Sequence, residues 1–205
     1  TPIQLSAQRL RRRYLDRLNA EDDVFDECTS MISKQVDELK NLVNEFSNFA
    51  RMPATNPTLN NLNDIILECL TLYRQAHKDI RFDTHLDGNL PDSKFDREQI
   101  KRVLINLLEN AVSATPSSGS ITLGSSYNQE INLITLTVSD TGCGIPAQNK
   151  PRLFEPYFST KKTGTGLGLA IVSTIVADHN GYIRVKDNEP QGTQFIIELP
   201  ADDNV

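Results

Sequence analysis

The chain has 205 residues, 38% of them hydrophobic, which is enough for one large domain or two small ones with packed cores. Its formal net charge of −6 argues against a nucleic-acid-binding protein, because such a protein presents a basic face. Neither a C-x-x-C pair nor a zinc-ligand pattern is formed by Cys28, Cys69 and Cys143. That cysteine usage fits a reducing, cytoplasmic compartment. No apolar run reaches the length of a membrane span, so we expect no membrane contact.

Residues 1–52 show a helical pattern in two segments. Apolar residues recur at steps of three and four from Ile3 to Leu18, and again from Phe25 to Phe49 after a polar break. The second series resembles a heptad seam with one polar position, Gln35. Two such helices predict an antiparallel hairpin whose narrow apolar stripe needs a second hairpin, as in half of a four-helix bundle. The alternative is packing of the hairpin on the C-terminal domain of the same chain.

The remainder of the chain alternates between helical and extended signals. Residues 53–58 are predicted to be a linker, because two prolines and small polar residues end the long helix. Helices are predicted at 59–73, 96–115 and about 166–179, and strands at 80–86, 120–126, 133–140, 182–186 and 194–199. This order predicts an α/β sandwich with a mixed sheet over residues 59–200, and hence an α+β chain with a tail at 201–205. The stretch 146–164 is long for a loop, which indicates a functional or mobile segment.

The first segment with residues suited to nucleotide chemistry is the helix predicted from residue 96. It places Asn106 and Asn110 one turn apart, beside Arg102. Amide oxygens there could meet a hard cation, and amide donors could meet phosphates. Taken alone, two asparagines on a solvated helix face are the simpler interpretation, although asparagine is a poor helix former.

A second segment begins where a strongly apolar strand ends. Asp140 closes that strand and is followed by Gly142 and Gly144. A carboxylate at this position can accept a hydrogen bond from the exocyclic amine of a ligand, and the glycines allow close approach of the backbone. The alternative for this pattern alone is an ordinary turn.

A third segment, residues 164–168, is a glycine-rich loop that opens an apolar helix. Backbone N–H groups at a helix N-terminus suit phosphates. The G-x-G-x-G spacing differs from the dinucleotide fingerprint, and no strand immediately precedes it. Upstream, the aromatic residues of 153–158 could anchor a lid or pack in the core, and Lys161 is better placed than Lys162 to reach phosphates.

In this order, and with Gly192-Thr193-Gln194-Phe195 before the last strand, the segments resemble the N, G1, F and G2 boxes and the closing motif of the GHKL ATPase superfamily. These boxes resemble the form found in two-component sensor histidine kinases. That resemblance implies a Bergerat-type α/β sandwich that binds ATP and Mg²⁺. The resemblance implies that Asn110 is the metal ligand, that Asn106 lines the phosphate end, and that Asp140 accepts from the adenine amine. The other positions that it assigns to nucleotide binding are Gly142, Gly144, Lys161, Gly164, Thr165, Gly166, Leu167, Gly168 and Thr193.

The hairpin resembles the dimerisation and phosphotransfer module of the same family, and residues 1–12 are similar to NtrY-type nitrogen-regulation sensor kinases. In those proteins this run follows the box that carries the phospho-accepting histidine. We therefore expect a truncated fragment of a membrane-bound sensor kinase that binds Mg-ATP, lacks the acceptor and contains no catalytic residue of its own. The implied partners are a second copy through the hairpin, weakened by truncation, and a response regulator receiver domain.

The histidines of the chain are not predicted to be acceptors. His179 is expected to cap the last helix, and His77 and His85 have no acceptor-like surroundings. Two alternatives to a kinase region remain. One is a non-catalytic nucleotide-binding regulatory module, and the other is an ATPase of the gyrase or Hsp90 type. Since members of that type carry a glutamate at the position of Asn106, the asparagine favours transfer to a protein over hydrolysis.

Overall fold

The computed structural model describes residues 2–14, 23–50, 54–161 and 164–201. The chain divides into two compact units, one formed by 1–52 with 161–165 and the other by 53–160 with 166–205. Residues 19–22 of the predicted polar break, the start of the predicted linker, Lys162 and the end of the predicted tail lie outside the described residues. Within those residues, no helix combines the length and the apolar character that crossing a membrane requires.

The first unit contains helices α1 (Pro2–Tyr14) and α2 (Asp23–Ala50). With 28 residues, α2 is about 42 Å long at the helical rise per residue. Gln4 Nε2, near the start of α1, donates to the two carboxylate oxygens of Asp37 at 3.0 and 3.1 Å. Because Asp37 lies in the middle of α2, this pairing is the one that the predicted antiparallel hairpin produces.

The predicted seam of the hairpin leaves apolar side chains in solvent. Ile32 and Leu39 are 45% and 61% exposed, and Val43 on the same helix is 56% exposed. Side chains of this size are usually withdrawn from water when a partner is available. The exposure is what an apolar stripe without its second hairpin would show.

The second unit is built on a mixed five-stranded sheet with strand order β2-β4-β5-β7-β6. Its strands are β2 (Arg81–His85), β4 (Ser120–Asn128), β5 (Leu133–Asp140), β6 (Tyr182–Asp187) and β7 (Thr193–Pro200). The pair β2–β4 is parallel, and the other neighbours are antiparallel. The predicted mixed sheet is therefore confirmed.

One face of this sheet carries the core. Along β5, Ile134, Leu136, Val138 and Asp140 are buried, and the residues between them are partly exposed. This period of two is the pattern of a sheet covered on one face only. The cover consists of helices α3 (Leu62–Ala76), α4 (Arg97–Ala114) and α5 (Gly168–Asp178).

The N-terminus of α4 and the C-terminus of α5 are linked by hydrogen bonds of a buried histidine. His179 caps the C-terminus of α5, as predicted, and its Nδ1 lies 2.8 Å from the carbonyl oxygen of Ile175. Its Nε2 accepts from the backbone N–H of Asp96 at 3.0 Å, and Asp96 in turn caps α4 by accepting from Gln99 N at 3.1 Å. These two bonds together require the neutral imidazole with the proton on Nδ1.

The predicted helix at 59–73 needs correction. Thr58–Asn60 forms strand β1, which pairs antiparallel with β3 (Ser93–Phe95), and neither short strand was expected from the sequence. The helix starts at Leu62 because the side chain of Asn61 caps it, accepting from Asn63 N at 3.0 Å. A 3₁₀ turn at Ala147–Arg152 also lies within the stretch that was expected to be irregular.

Candidate functional site

The centre of the candidate site is the carboxylate of Asp140 at the end of β5. Asp140 is 3% exposed, and its Oδ1 accepts from the backbone N–H groups of Gly142 at 2.8 Å and Thr193 at 3.2 Å. Neither bond ends on Oδ2. The fold therefore orients the carboxylate through one oxygen, so that Oδ2 can accept from a ligand. The predicted Asp140, Gly142 and Thr193 are thus brought together around one group.

Burial and hydrogen bonding act on Asp140 in opposite directions. Burial raises the pKa of this carboxyl above its ordinary value, and the two backbone donors lower it in part. Desolvation disfavours the charged form, whereas N–H groups that point at an oxygen favour it. The site thus holds an ionisable acceptor in a place where the charged form is costly, which is common at functional sites.

The glycines around Asp140 are required by packing. At Gly192 φ is +121°, and a Cβ there would lie 1.9 Å from the carbonyl oxygen of Asp140. A Cβ on Gly142 would lie 2.5 Å from the carbonyl oxygen of Ala114, where α4 ends. Gly144 has φ +74°, in the left-handed region that glycine adopts without strain. The predicted contact of Gly142 and Gly144 with a base remains a prediction.

The N-terminus of α5 meets the middle of α4. A Cβ on Gly168, the first residue of α5, would lie 2.8 Å from Asn106 Oδ1. Asn106 is partly buried, and its Nδ2 donates to the carbonyl oxygen of Arg102 at 2.9 Å. Asn110, one helical turn further along α4, is also partly buried. Two motifs that are 62 positions apart in the sequence, at 106 and 168, are therefore adjacent.

The first turn of α5 has the properties of an anion site. Its N-cap, Leu167, is fully buried and supplies no side-chain hydrogen bond to the helix end. The first N–H groups of a helix have no partner within the helix and carry partial positive charge. A phosphate at this end would complete them.

The loop before α5 is held against the aromatic segment. At Gly166 φ is +71°, and a Cβ there would lie 2.5 Å from the carbonyl carbon of Tyr157. Tyr157 N donates to the carbonyl oxygen of Gly166 at 3.0 Å, and Tyr157 itself has φ +66°. The guanidinium of Arg152 lies 4.7 Å from the ring centroid of Phe158. The backbone of the aromatic segment, more than the packing of its rings, therefore requires a glycine at position 166.

Three of the predicted site residues are assigned to the other compact unit. Lys161, Gly164 and Thr165 belong to the first compact unit, whereas Asp140 and Asn106 belong to the second. Lys161 and Gly164 are exposed, and Thr165 is partly exposed. Their role towards a nucleotide remains a prediction.

One residue of this site was missed by sequence reasoning. Asn188 Nδ2 donates to the carbonyl oxygen of Asp140 at 2.8 Å, across 48 positions of sequence. An asparagine before a turn is too common to signal such a contact. Among the described residues, no group of three or more His, Cys, Asp or Glu side chains could hold a metal by itself.

The sequence is similar to those of known proteins. A family profile described as histidine kinase-, DNA gyrase B-, and HSP90-like ATPase matches residues 95–203. The nitrogen regulation protein NtrY of Azorhizobium caulinodans is 37% identical over an alignment of 204 residues, which covers 97% of this chain and 26% of that protein. The chain therefore spans about a quarter of the length of this curated relative.

Solved structures give a similar result. The catalytic domain of the histidine kinase ThkA is 36% identical with a TM-score of 0.66, and the match covers 71% of this chain and 96% of that domain. Histidine kinase ThkA in complex with the response regulator protein TrrA is 28% identical with a TM-score of 0.75. That match covers 98% of this chain and 58% of the kinase chain.

Proposed function

This chain belongs to the family of histidine kinase-, DNA gyrase B-, and HSP90-like ATPases, and we propose that it is the ATP-binding catalytic region of a sensor histidine kinase. The predicted family and fold are confirmed, and the kinase interpretation is favoured over the gyrase or Hsp90 type. The parent protein would be a membrane-bound sensor whose catalytic region lies in the cytoplasm.

The observation that carries the proposal is the carboxylate of Asp140, which is buried and oriented through Oδ1 only. In the proposed role, Oδ2 accepts from the adenine amine, and Thr193 supports the same group. Asn106 and Gly168 lie at the phosphate end, where the N-terminus of α5 offers N–H groups to the anion. The glycine-rich loop at 164–168 and Lys161 would contact the phosphates.

The residues of α4 suit a magnesium ion that is shared with the nucleotide. Mg²⁺ prefers oxygen ligands and is usually held by one or two protein groups together with phosphates and waters. The carboxamide oxygen of Asn110 is such a ligand, and the described residues contain no acidic cluster that would hold the ion alone. When bound, Mg²⁺ would neutralise charge on the phosphates and so favour phosphoryl transfer.

In the proposed reaction, the γ-phosphoryl group passes from ATP to a histidine nitrogen and then to an aspartate of a response regulator. The chain contains three histidines, all beyond residue 76, and His179 uses both ring nitrogens within the fold. We therefore propose that the accepting histidine lies outside these 205 residues. The chain would contribute positioning and charge stabilisation, which dominate this kind of catalysis.

The proposed partners are a second copy of the chain and a response regulator receiver domain. Homodimerisation is supported by the apolar side chains that α2 leaves in solvent, Ile32, Leu39 and Val43 among them. Recognition of a receiver domain is supported by the similarity to ThkA, whose complex with a response regulator is known.

Titration calorimetry with ATP tests the binding part of the proposal. We expect the purified chain to bind ATP more tightly with Mg²⁺ than with EDTA, and Asn110→Ala to remove most of that difference. Ser113→Ala, on an exposed position one turn along α4, is the matched control and should retain it. Failure of the wild-type chain to bind ATP at millimolar concentration would contradict the proposed function.

Incubation with γ-labelled ATP tests the transfer part. The chain alone should acquire no acid-labile, base-stable phosphate, whereas an acceptor hairpin from a related kinase, supplied in trans, should. Label on the chain itself would refute an external acceptor. Steady phosphate release without any phosphoprotein would favour the ATPase alternative, and ATP binding with neither activity would favour a regulatory module.

A further inference from the structure

The turn between β6 and β7 closes around the peptide that carries Asp140. The paired residues of β5 and β7 end at Ser139 and Gln194. Beyond this pair, the carbonyl oxygen of Asp140 receives a side chain, because Asn188 Nδ2 donates to it at 2.8 Å. A side-chain amide thus takes over where the ladder of backbone hydrogen bonds stops.

Three further contacts restrict the same turn. Asn188 N donates to the carbonyl oxygen of Gly192 at 3.1 Å, so the turn is closed upon itself. Gly192 approaches the carbonyl oxygen of Asp140 so closely that no Cβ could be accommodated. Thr193, the next residue, donates from its backbone to Asp140 Oδ1 at 3.2 Å. One turn therefore holds both the carbonyl and the carboxylate of Asp140.

We propose that Asn188 is a positioning residue for purine recognition, which sets the direction of the Asp140 carboxylate by anchoring the carbonyl oxygen of the same residue. The inference rests on the proposed function, in which Oδ2 of Asp140 reads the amine of adenine. A hydrogen bond depends steeply on angle, so a small rotation of this peptide weakens contact with the base. Binding of the phosphates at the distant end of the site does not depend on that rotation.

Variants of Asn188 separate the contact with the base from the binding of the phosphates. Asn188→Asp keeps the size of the side chain and removes the amide donor, and Asn188→Leu removes the donor without adding charge. Asp187→Asn is the matched control. It removes the ion pair between Asp187 Oδ2 and Lys150 Nζ, which are 2.7 Å apart, and the Asp187 side chain is 71% exposed. The contacts of Asp140 are left unchanged. An exposed ion pair contributes little to stability.

The measurement compares dissociation constants for ATP and for inosine triphosphate, which lacks the 6-amino group, together with thermal unfolding without nucleotide. For both Asn188 variants we expect the dissociation constant for ATP to rise about three- to tenfold, the effect of one hydrogen bond. The constant for inosine triphosphate should change less than twofold, so that selectivity for the amine falls. Asp187→Asn should retain the selectivity of the wild type.

A purely structural role for Asn188 gives a different result. The unfolding temperature would then fall while selectivity between the two nucleotides stayed at the wild-type value, and this result would overturn the inference. Unchanged affinities in both variants would overturn it as well. If the wild type binds ATP and only the selectivity test fails, the proposed function stands. A wild type that binds neither nucleotide refutes both.

Discussion

The change of Asp140 to asparagine separates recognition of adenine from support of the fold. Both backbone donors to this side chain end on Oδ1, which an asparagine retains as its amide oxygen. The group that replaces Oδ2 becomes an NH₂, a donor where the proposed site needs an acceptor. We therefore expect Asp140→Asn to fold normally and to bind ATP weakly.

The magnitude follows from the type of bond that is lost. A hydrogen bond to a charged group contributes about 1.5–3 kcal/mol, which corresponds to a loss of about ten- to hundredfold in affinity. The two N–H groups of Gly142 and Thr193 keep their acceptor, so no comparable cost falls on the fold. Inosine triphosphate, which has no amine to donate, should lose less affinity than ATP.

The pH dependence of stability provides an independent check. Because burial raises the pKa of Asp140, the folded chain binds this proton more readily than the unfolded chain does. Stability from this group therefore increases as the pH falls through the raised pKa towards the ordinary value of 3.8. At neutral pH the buried charge is a cost, which asparagine removes. Without nucleotide, the variant should be more stable than the wild type at pH 7, and the difference should shrink at acidic pH.

Calorimetry gives the affinity, and urea unfolding at several pH values gives the free energy of unfolding. An unchanged affinity for ATP would refute the role of Asp140 in binding adenine. A variant that is less stable than the wild type at neutral pH would refute the argument that Oδ1 alone supports the fold.

Three further changes test the contacts around the site. Gly168→Ala places a Cβ 2.8 Å from Asn106 Oδ1, so ATP affinity should fall several-fold in calorimetry while thermal stability hardly changes. His179→Leu removes the acceptor of the backbone N–H of Asp96, the N-cap of α4. The free energy of unfolding, measured in urea, should therefore fall by about 1–3 kcal/mol with little change in ATP affinity. Gly192→Ala places a Cβ 1.9 Å from the carbonyl oxygen of Asp140 at φ +121°, so both unfolding free energy and ATP affinity should fall, with backbone strain alone costing about 1–3 kcal/mol. A stable, binding-competent Gly192→Ala would contradict the described turn.

Local sequence signals were sufficient for most of the second unit. The strand predicted at 133–140 has the bounds observed for β5, and its buried residues alternate with partly exposed ones, the period of two of a half-buried strand. The helix predicted at 96–115 was found at Arg97–Ala114, with Asp96 and Thr115 as its caps. Its pattern is strong because one side of the helix is buried from Gln99 to Ala111.

Local sequence signals did not predict the short strands β1 and β3. Strands β1 and β3 have three residues each and exist because they pair with each other. The amide of Asn60 also donates to the carbonyl oxygen of Phe95 across 35 positions. Three residues contain less than two periods of any pattern, so propensity alone cannot distinguish them from a helix start.

By itself, the sequence determined the family and the mixed-sheet sandwich, because order, spacing and periodicity are local properties. It also predicted a hydrogen-bond acceptor for the ligand, Asp140, at the end of β5. Only the tertiary structure decided which oxygen of Asp140 supports the fold, and that Gly142 is small because of α4. It also decided that Asn188 anchors the same peptide. Those facts depend on distances between residues that are far apart in sequence, and such distances arise only when helices pack on the sheet and the turn after β6 folds back onto β5.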